Sequence, residues 1–486
     1  MMKHASTFVY GTIVVLLTGT VALYSARRSA GNARLLILPA GVAPASAEAG
    51  EQNGGGAGTV ANESRHAFGR APMNLAEFDA RWPIFRSGKL LFDRNWGLAT
   101  HDAAGGPPGP TPLGPVYDAV SCAGCHVRDG RGHPPSSADE IPETMVVRLS
   151  VMTAHGSVPH PVYGRQLGYY RTDGKPGEGT VSVSYVEVSG EFADGTPYTL
   201  TKPVYAFDHM AYGPIGERTM YSPRVAQPIA GIGLLDAIPA AAILAHADPD
   251  DRDHDGISGR PNYVTDERTG QTMLGRFGWK ANQPTVEQQV ENAFQFDIGI
   301  MPSHPASDGA YGGAAKDGGT AKDVTPEITD AELRSVSFYT RLAAVPARRG
   351  CNDRTVLRGK GIFHAVGCAG CHVPSYTTGA VDGLPELTHQ TIFPYTDLLL
   401  HDMGAELSDN RPDGLAGGAE WRTPPLWGIG LTAVVSGHTR FLHDGRARNL
   451  EEAILWHGGE GAGARDLYKR LPRDDRAALI AFLTSL

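Results

Sequence analysis

Cys122-Ala123-Gly124-Cys125-His126 and Cys368-Ala369-Gly370-Cys371-His372 are two copies of C-x-x-C-H, and the rest of the chain is read around them. Two thiols at this spacing can add to the vinyl groups of a haem, and the histidine that follows offers its imidazole to the iron. A zinc or redox C-x-x-C has no need of that histidine. The two copies use four of the five cysteines and share an Ala-Gly interior. The pattern implies two covalently bound c-type haems, with His126 and His372 as proximal ligands. The remaining cysteine, Cys351, reads as a structural free thiol or as one half of an intermolecular disulfide.

Length and composition fit an exported redox protein. The chain has 486 residues, enough for two or three domains, with 61 glycines, 35 prolines and only 20% charged residues. Such a composition predicts a loop-rich fold wrapped around cofactors. A net charge of −9 leaves no basic footprint for nucleic acid, but permits docking of a basic electron donor. Lys3 and His4 precede an uncharged, largely apolar run over 5–26, and Arg27 and Arg28 follow it. That run reads as a signal peptide or an uncleaved membrane anchor. The small-residue site Ala45-Ser46-Ala47 lies far from the run, with Arg34 between them. Because covalent c-type haem is assembled outside the bacterial cytoplasm, the expected location is the periplasm, soluble or anchored to the inner membrane.

The expected organisation is a signal or anchor over 1–28, a flexible linker over 29–71, an N-terminal haem domain over 72–345 and a C-terminal cytochrome c domain over 346–486. The linker follows from the Gly/Ala/Glu/Asn-rich stretch 47–71. Phe78, Trp82, Phe85, Leu90 and Leu91 recur at helical spacing. Val181, Val183 and Tyr185, then Tyr198 and Leu200, alternate around Asp194-Gly195 as a β-hairpin would. Helical patterns return over 238–246 and 286–296, Thr329-Asp330 opens a helix that Val345-Pro346 ends, and 474–486 closes the chain as a helix. The expected fold class is mainly α: two c-type cytochrome domains, loop-rich, with a β-hairpin or small-sheet insertion in the N-terminal one.

Five further runs carry a resemblance. They are Gly275-Arg276-Phe277-Gly278-Trp279-Lys280-Ala281, Asp397-Leu398-Leu399-Leu400-His401-Asp402-Met403-Gly404, Arg422-Thr423-Pro424-Pro425-Leu426-Trp427, Phe441-Leu442-His443-Asp444-Gly445-Arg446 and Leu450-Glu451-Glu452-Ala453-Ile454. Together they resemble the di-haem oxidoreductase branch, thiol-oxidoreductase-like, of the bacterial di-haem cytochrome c peroxidase superfamily. The resemblance runs from about Leu75 to Leu486. It implies a peroxidase-like enzyme in which electrons enter at the C-terminal haem and peroxide is reduced at the N-terminal one. It also implies a donor such as a small cytochrome or cupredoxin. Two other activities stay open: a di-haem oxygenase or oxidase acting on an organic or protein substrate, and a non-catalytic electron carrier.

The resemblance also supplies candidate residues. His457 falls where the superfamily places the second ligand of the C-terminal haem, and His implies a lower potential than Met there. Met403, His401, His438 and His443 are its rivals. Trp279 matches the tryptophan between the haems, and Gln289 and Asp297 match the polar group and acid of the peroxide pocket. The acid is Asp and arrives early, and this segment lies farther from the first motif than the superfamily pattern has it. For a sixth ligand at the first haem, His133, His155, His160, His209 and Met210 all compete; without one, the iron keeps an open face. Asp251, Asp253 and Asp255 with Gly256 match the first half of a calcium loop, but position 12 is Asn262 rather than Glu.

Overall fold

The helix Trp82–Asp93 buries Phe85, Gly88 and Phe92 on one face, and that face lies on the helix Asp330–Arg341. The approach is close: a Cβ at Gly88 would collide with the Ser335 carbonyl, so the crossing requires glycine. Thr329 caps the second helix as its sequence predicts. Its hydroxyl accepts from the Glu332 N–H at 3.3 Å while the Glu332 carboxylate accepts from the Thr329 N–H at 3.0 Å. The structure, a computed structural model, describes residues 42–98, 113–137, 140–154, 156–306 and 325–486. The apolar run 5–26 and His155 lie outside these. Among the described residues, no helix is long and apolar enough to cross a membrane.

A mainly α fold is not what the chain adopts. Helix accounts for 28% and strand for 19%, the strands spread over several small sheets. The expected hairpin is present, Thr180–Glu191 paired with Pro197–Asp208 in unbroken register, with Gly195 turning at φ 80°. The unanticipated element is a three-stranded antiparallel sheet, in which Met145–Thr153 lies between Gly156–Pro159 and Thr219–Val225. Alternation along the central strand buries Met145, Val147 and Leu149 in one cluster and turns Val146 and Arg148 to the other face. Val146 lies directly opposite Arg224, so this second face is a wall rather than part of the core.

Around the second motif, the helix Arg354–Ala365 packs on the terminal helix Arg473–Ser485. Phe363 meets Phe482 with ring centroids 5.2 Å apart, and Gly359 lets the Ala478 carbonyl approach. The main apolar core is continuous across residue 346: Phe85, Leu234 and Tyr339 share it with Leu387, Leu398 and Trp427. Phe78 is not part of any core; it precedes the helix and is 95% exposed.

The part of the expected linker that is described, residues 42–71, is fastened to the body. Ala45 N–H donates to the Leu357 carbonyl at 3.0 Å. The buried Glu51 carboxylate accepts from Lys360 Nζ at 2.9 Å and from the Tyr395 hydroxyl at 2.5 Å, and pairs with Arg348. Three buried partners on one acid outweigh a loop-like composition.

Lys280 is fully buried. Its ammonium donates to Asp409 Oδ1 at 2.8 Å and to the carbonyls of Arg411, Gly417 and Gly418 at 2.8, 2.8 and 3.1 Å. Burial lowers its pKa to about 8, so it is still a cation at neutral pH. Lys280→Met leaves the Asp409 carboxylate buried without its ammonium, and should cost about 3–5 kcal/mol of folding stability. Urea unfolding reads this directly; a loss below about 1 kcal/mol would show the pair to be no better than a surface ion pair.

Candidate active site

Cys122–Cys125 is a single helical turn. Ser121 Oγ caps it by accepting from the Gly124 N–H at 3.0 Å, and the His126 N–H closes it on the Cys122 carbonyl at 2.9 Å. His126 Nδ1 lies 2.6 Å from the Gln227 carbonyl. That contact makes Nδ1 the protonated nitrogen and leaves Nε2 with no hydrogen bond among the described residues, the tautomer a metal-binding imidazole needs. Burial lowers its pKa, so the ring is neutral at pH 7. Burial raises the thiols, Cys122 to about 12 and Cys125 well above the ordinary value. A redox-active C-x-x-C needs the opposite shift, so these two thiols are built for something else.

The motif lines a cavity of about 210 Å³. Trp279, Gln289 and Asp297 line the same cavity. Gln289 and Asp297 come from the helix Val286–Ala293 and the π-helical turn Phe294–Ile298 that extends it. Gln289, Ala293 and Asp297 are spaced four apart along these turns, which brings both polar side chains to the cavity. The Gln289 amide has no hydrogen-bond partner among the described residues. Trp279 is buried, its indole N–H donating to the Val225 carbonyl at 2.9 Å and the Arg131 guanidinium 5.2 Å above its ring. Arg276 holds this segment in place by donating to the carbonyls of Leu235, Asp236 and Ile238 at 3.1, 2.8 and 2.6 Å.

Three further residues shape the site, and sequence reading missed them. Gln166 Nε2 donates to Asp297 Oδ1 at 2.9 Å and to Asp118 Oδ2 at 2.5 Å, tying two acids together. Arg148, from the sheet wall, lines the cavity and is the chief charge opposing the effect of burial on Asp297. Burial nevertheless raises the Asp297 pKa above the ordinary carboxyl value, and raises buried Asp118 well above it. A cation in an alternating apolar strand was the one available signal for Arg148. Nothing local marks Gln166 or Asp118. Of the sixth-ligand candidates among the described residues, His133, His160, His209 and Met210 all lie outside this cavity lining. His160 uses both ring nitrogens, one toward the Ile215 carbonyl and the other accepting from Val162 and Tyr163 N–H.

The second motif repeats the imidazole geometry. His372 Nδ1 lies 2.9 Å from the Tyr395 carbonyl, and His457 Nδ1 lies 2.7 Å from the Ala453 carbonyl, so each ring keeps Nε2 for another partner. Burial first, with His457 among the lesser causes, holds His372 down to about 4. The histidine rivals of His457 are otherwise engaged. His401 gives one nitrogen to Asp397 at 2.7 Å and the other to Glu460 at 2.6 Å. Although burial opposes it, these carboxylates raise the His401 pKa well above the usual value, making it a fixed imidazolium. His438 bonds the Arg131 carbonyl and the Arg440 N–H through its two nitrogens. His443 is stacked on Trp421 with ring centroids 3.7 Å apart. Cys351 remains a half-buried free thiol.

Asp251, Asp253 and Asp255 bring one carboxylate oxygen each within 4.8 Å of one another, and Gly256 turns at φ 86°. Asn262 takes no part: it is buried, its amide donating to the Lys280 and Asp413 carbonyls.

Two C-x-x-C-H turns, the first capped by Ser121 and each presenting a neutral imidazole, one of them on a cavity with an amide and a buried acid, define a haem oxidoreductase. The comparison with protein families agrees. The model described as "Di-haem oxidoreductase, putative peroxidase" matches residues 48–151 and 158–486, and the chain belongs to that family. No curated protein and no solved structure matches the chain.

Proposed function

We propose that this chain is a periplasmic, peroxidase-like enzyme that carries two covalent c-type haems, one on each C-x-x-C-H motif. The observation that carries this reading is the shared cavity, where His126 stands with Trp279, Gln289 and Asp297. A haem bound there supplies a redox-active iron at which a peroxide O–O bond can be broken. Around it, His126 offers Nε2 with its ring locked by the Gln227 carbonyl. The Gln289 amide donates a hydrogen bond to peroxide, and the Asp297 carboxylate takes a proton from one peroxide oxygen and returns it to the other. The Arg148 guanidinium balances negative charge that develops during cleavage. Reduction to two waters takes up two electrons and two protons. The electrons would come from a small cytochrome or cupredoxin; His372 and His457 would hold the haem that supplies their entry point, and Trp279 would lie on their way to the first site.

The run 5–26 directs the chain to the periplasm as a signal or an anchor, and Asp251, Asp253 and Asp255 bind calcium, which a calorimetric calcium titration tests. The haem assignment is tested by Cys122→Ser with Cys125→Ser. The pyridine haemochrome assay should fall from two haems per chain to one, with peroxide turnover lost. An unchanged count would mean that the first motif does not attach haem.

A further inference from the structure

Trp279 does not stand alone. Its ring meets the imidazole of His443 edge-on, centroids 6.5 Å apart, and His443 lies flat on Trp421, centroids 3.7 Å apart and planes 13° from parallel. All three side chains are buried. Trp421 sits opposite His401 in the two-stranded ladder of Leu400–Asp402 with Glu420–Arg422. Met403, one residue beyond that ladder, packs against the cluster that contains both indoles. Met403 in turn reaches the second centre: a Cβ at Gly461 would find Met403 Cε at 3.3 Å and His457 Cδ2 at 3.1 Å. The series Trp279, His443, Trp421 therefore leads from the wall of the first cavity toward Met403, and Met403 borders His457 at Gly461.

The series is also held rigidly. The Trp421 N–H donates to the Leu407 carbonyl at 2.9 Å, and Lys280 Nζ lies 4.4 Å from the ring centroid, fixed by its four acceptors. Ordinary core packing explains buried indoles, but it calls for neither an imidazole stacked between them nor an ammonium clamped beside one. We propose that His443 and Trp421 extend Trp279 into the path along which an electron crosses from the second haem to the first. This rests on the two-haem reading above. In the step, one electron leaves the reduced haem of the second module and is gained by the oxidised haem of the first; no bond is made or broken and no proton moves. The Lys280 cation disfavours a positive charge on Trp421, so the ring is a bridge the electron tunnels through, not a place where it stops.

The test follows a single electron injected into the fully oxidised holoprotein by pulse radiolysis, with its passage between haems read as transient absorbance. Trp421→Leu should slow that passage roughly tenfold, the effect of about 1.4 kcal/mol on a barrier. His443→Leu should slow it likewise, whereas Trp421→Phe, which keeps an aromatic face on His443, should retain the parent rate. Haem content and haem spectra should be those of the parent in all three. An unchanged rate in both leucine variants would overturn the relay while leaving the two-haem reading intact. A parent protein that binds two haems but shows no passage between them would overturn the relay alone; a parent with one haem would sink both.

Discussion

Asp297→Asn lowers peroxide turnover by roughly 10²–10⁴-fold while leaving both haems bound, since that is the range over which a positioned proton-transfer group contributes. Asparagine preserves the shape of the side chain and can still meet Gln166, whose amide lies 2.9 Å from the present carboxylate. It cannot carry a proton. The pH dependence gives the effect a signature. Asp297 must be ionised to receive the peroxide proton, and burial raises its pKa above the ordinary carboxyl value. Turnover should therefore fall as pH drops through that raised pKa, and the asparagine variant should lose this acid limb. Stability moves the other way. A carboxyl raised in the folded state contributes stability that is full below its unfolded pKa and lost as pH rises through its folded pKa. The variant should thus be no less stable than the parent at neutral pH. Turnover within a few-fold of the parent removes Asp297 from the mechanism.

His457→Ala converts the second haem from low spin to high spin. The parent ring has Nδ1 held by the Ala453 carbonyl, and Arg465 donates to the His457 carbonyl at 2.9 Å, so both ring and backbone are fixed. Neither His401 nor His438 is free to replace it, because both spend their two ring nitrogens elsewhere. The optical spectrum of the oxidised variant should show one haem changed and the other as in the parent. His457→Met should restore low spin and raise the midpoint potential, as His/Met ligation does relative to bis-His. A spectrum unchanged by both substitutions would assign the second ligand to another residue.

What the sequence disclosed was local. The C-x-x-C-H turns, the Thr329 cap and the Asp194-Gly195 hairpin each lie within a few residues of chain, and each stands where its pattern puts it. The fold class was misread because the second sheet is not local. Met145–Thr153 pairs with Thr219–Val225 across a long insertion, and neither strand announces its partner. The same holds for the site. Gln289 and Asp297, which the family resemblance pointed to, lie along one helical run, but Gln166 and Asp118 join Asp297, and Arg148 lines the cavity, from three other segments. Phe78 fitted a helical stripe and is exposed, because the helix begins only at Trp82. Residues 42–71 looked like a linker because composition reports on average polarity, and a single acid, Glu51, captured by Arg348, Lys360 and Tyr395, does not change an average.

The proposed function requires an accessible catalytic haem on the first motif and a six-coordinate electron-entry haem on the second. The most direct measurement is the electron paramagnetic resonance spectrum of the holoprotein, oxidised and half-reduced, with and without hydrogen peroxide. A high-spin ferric signal that changes on adding peroxide, beside a low-spin signal from the His372/His457 haem, is the predicted result. Two low-spin signals that ignore peroxide in both states would contradict it and make the protein an electron carrier.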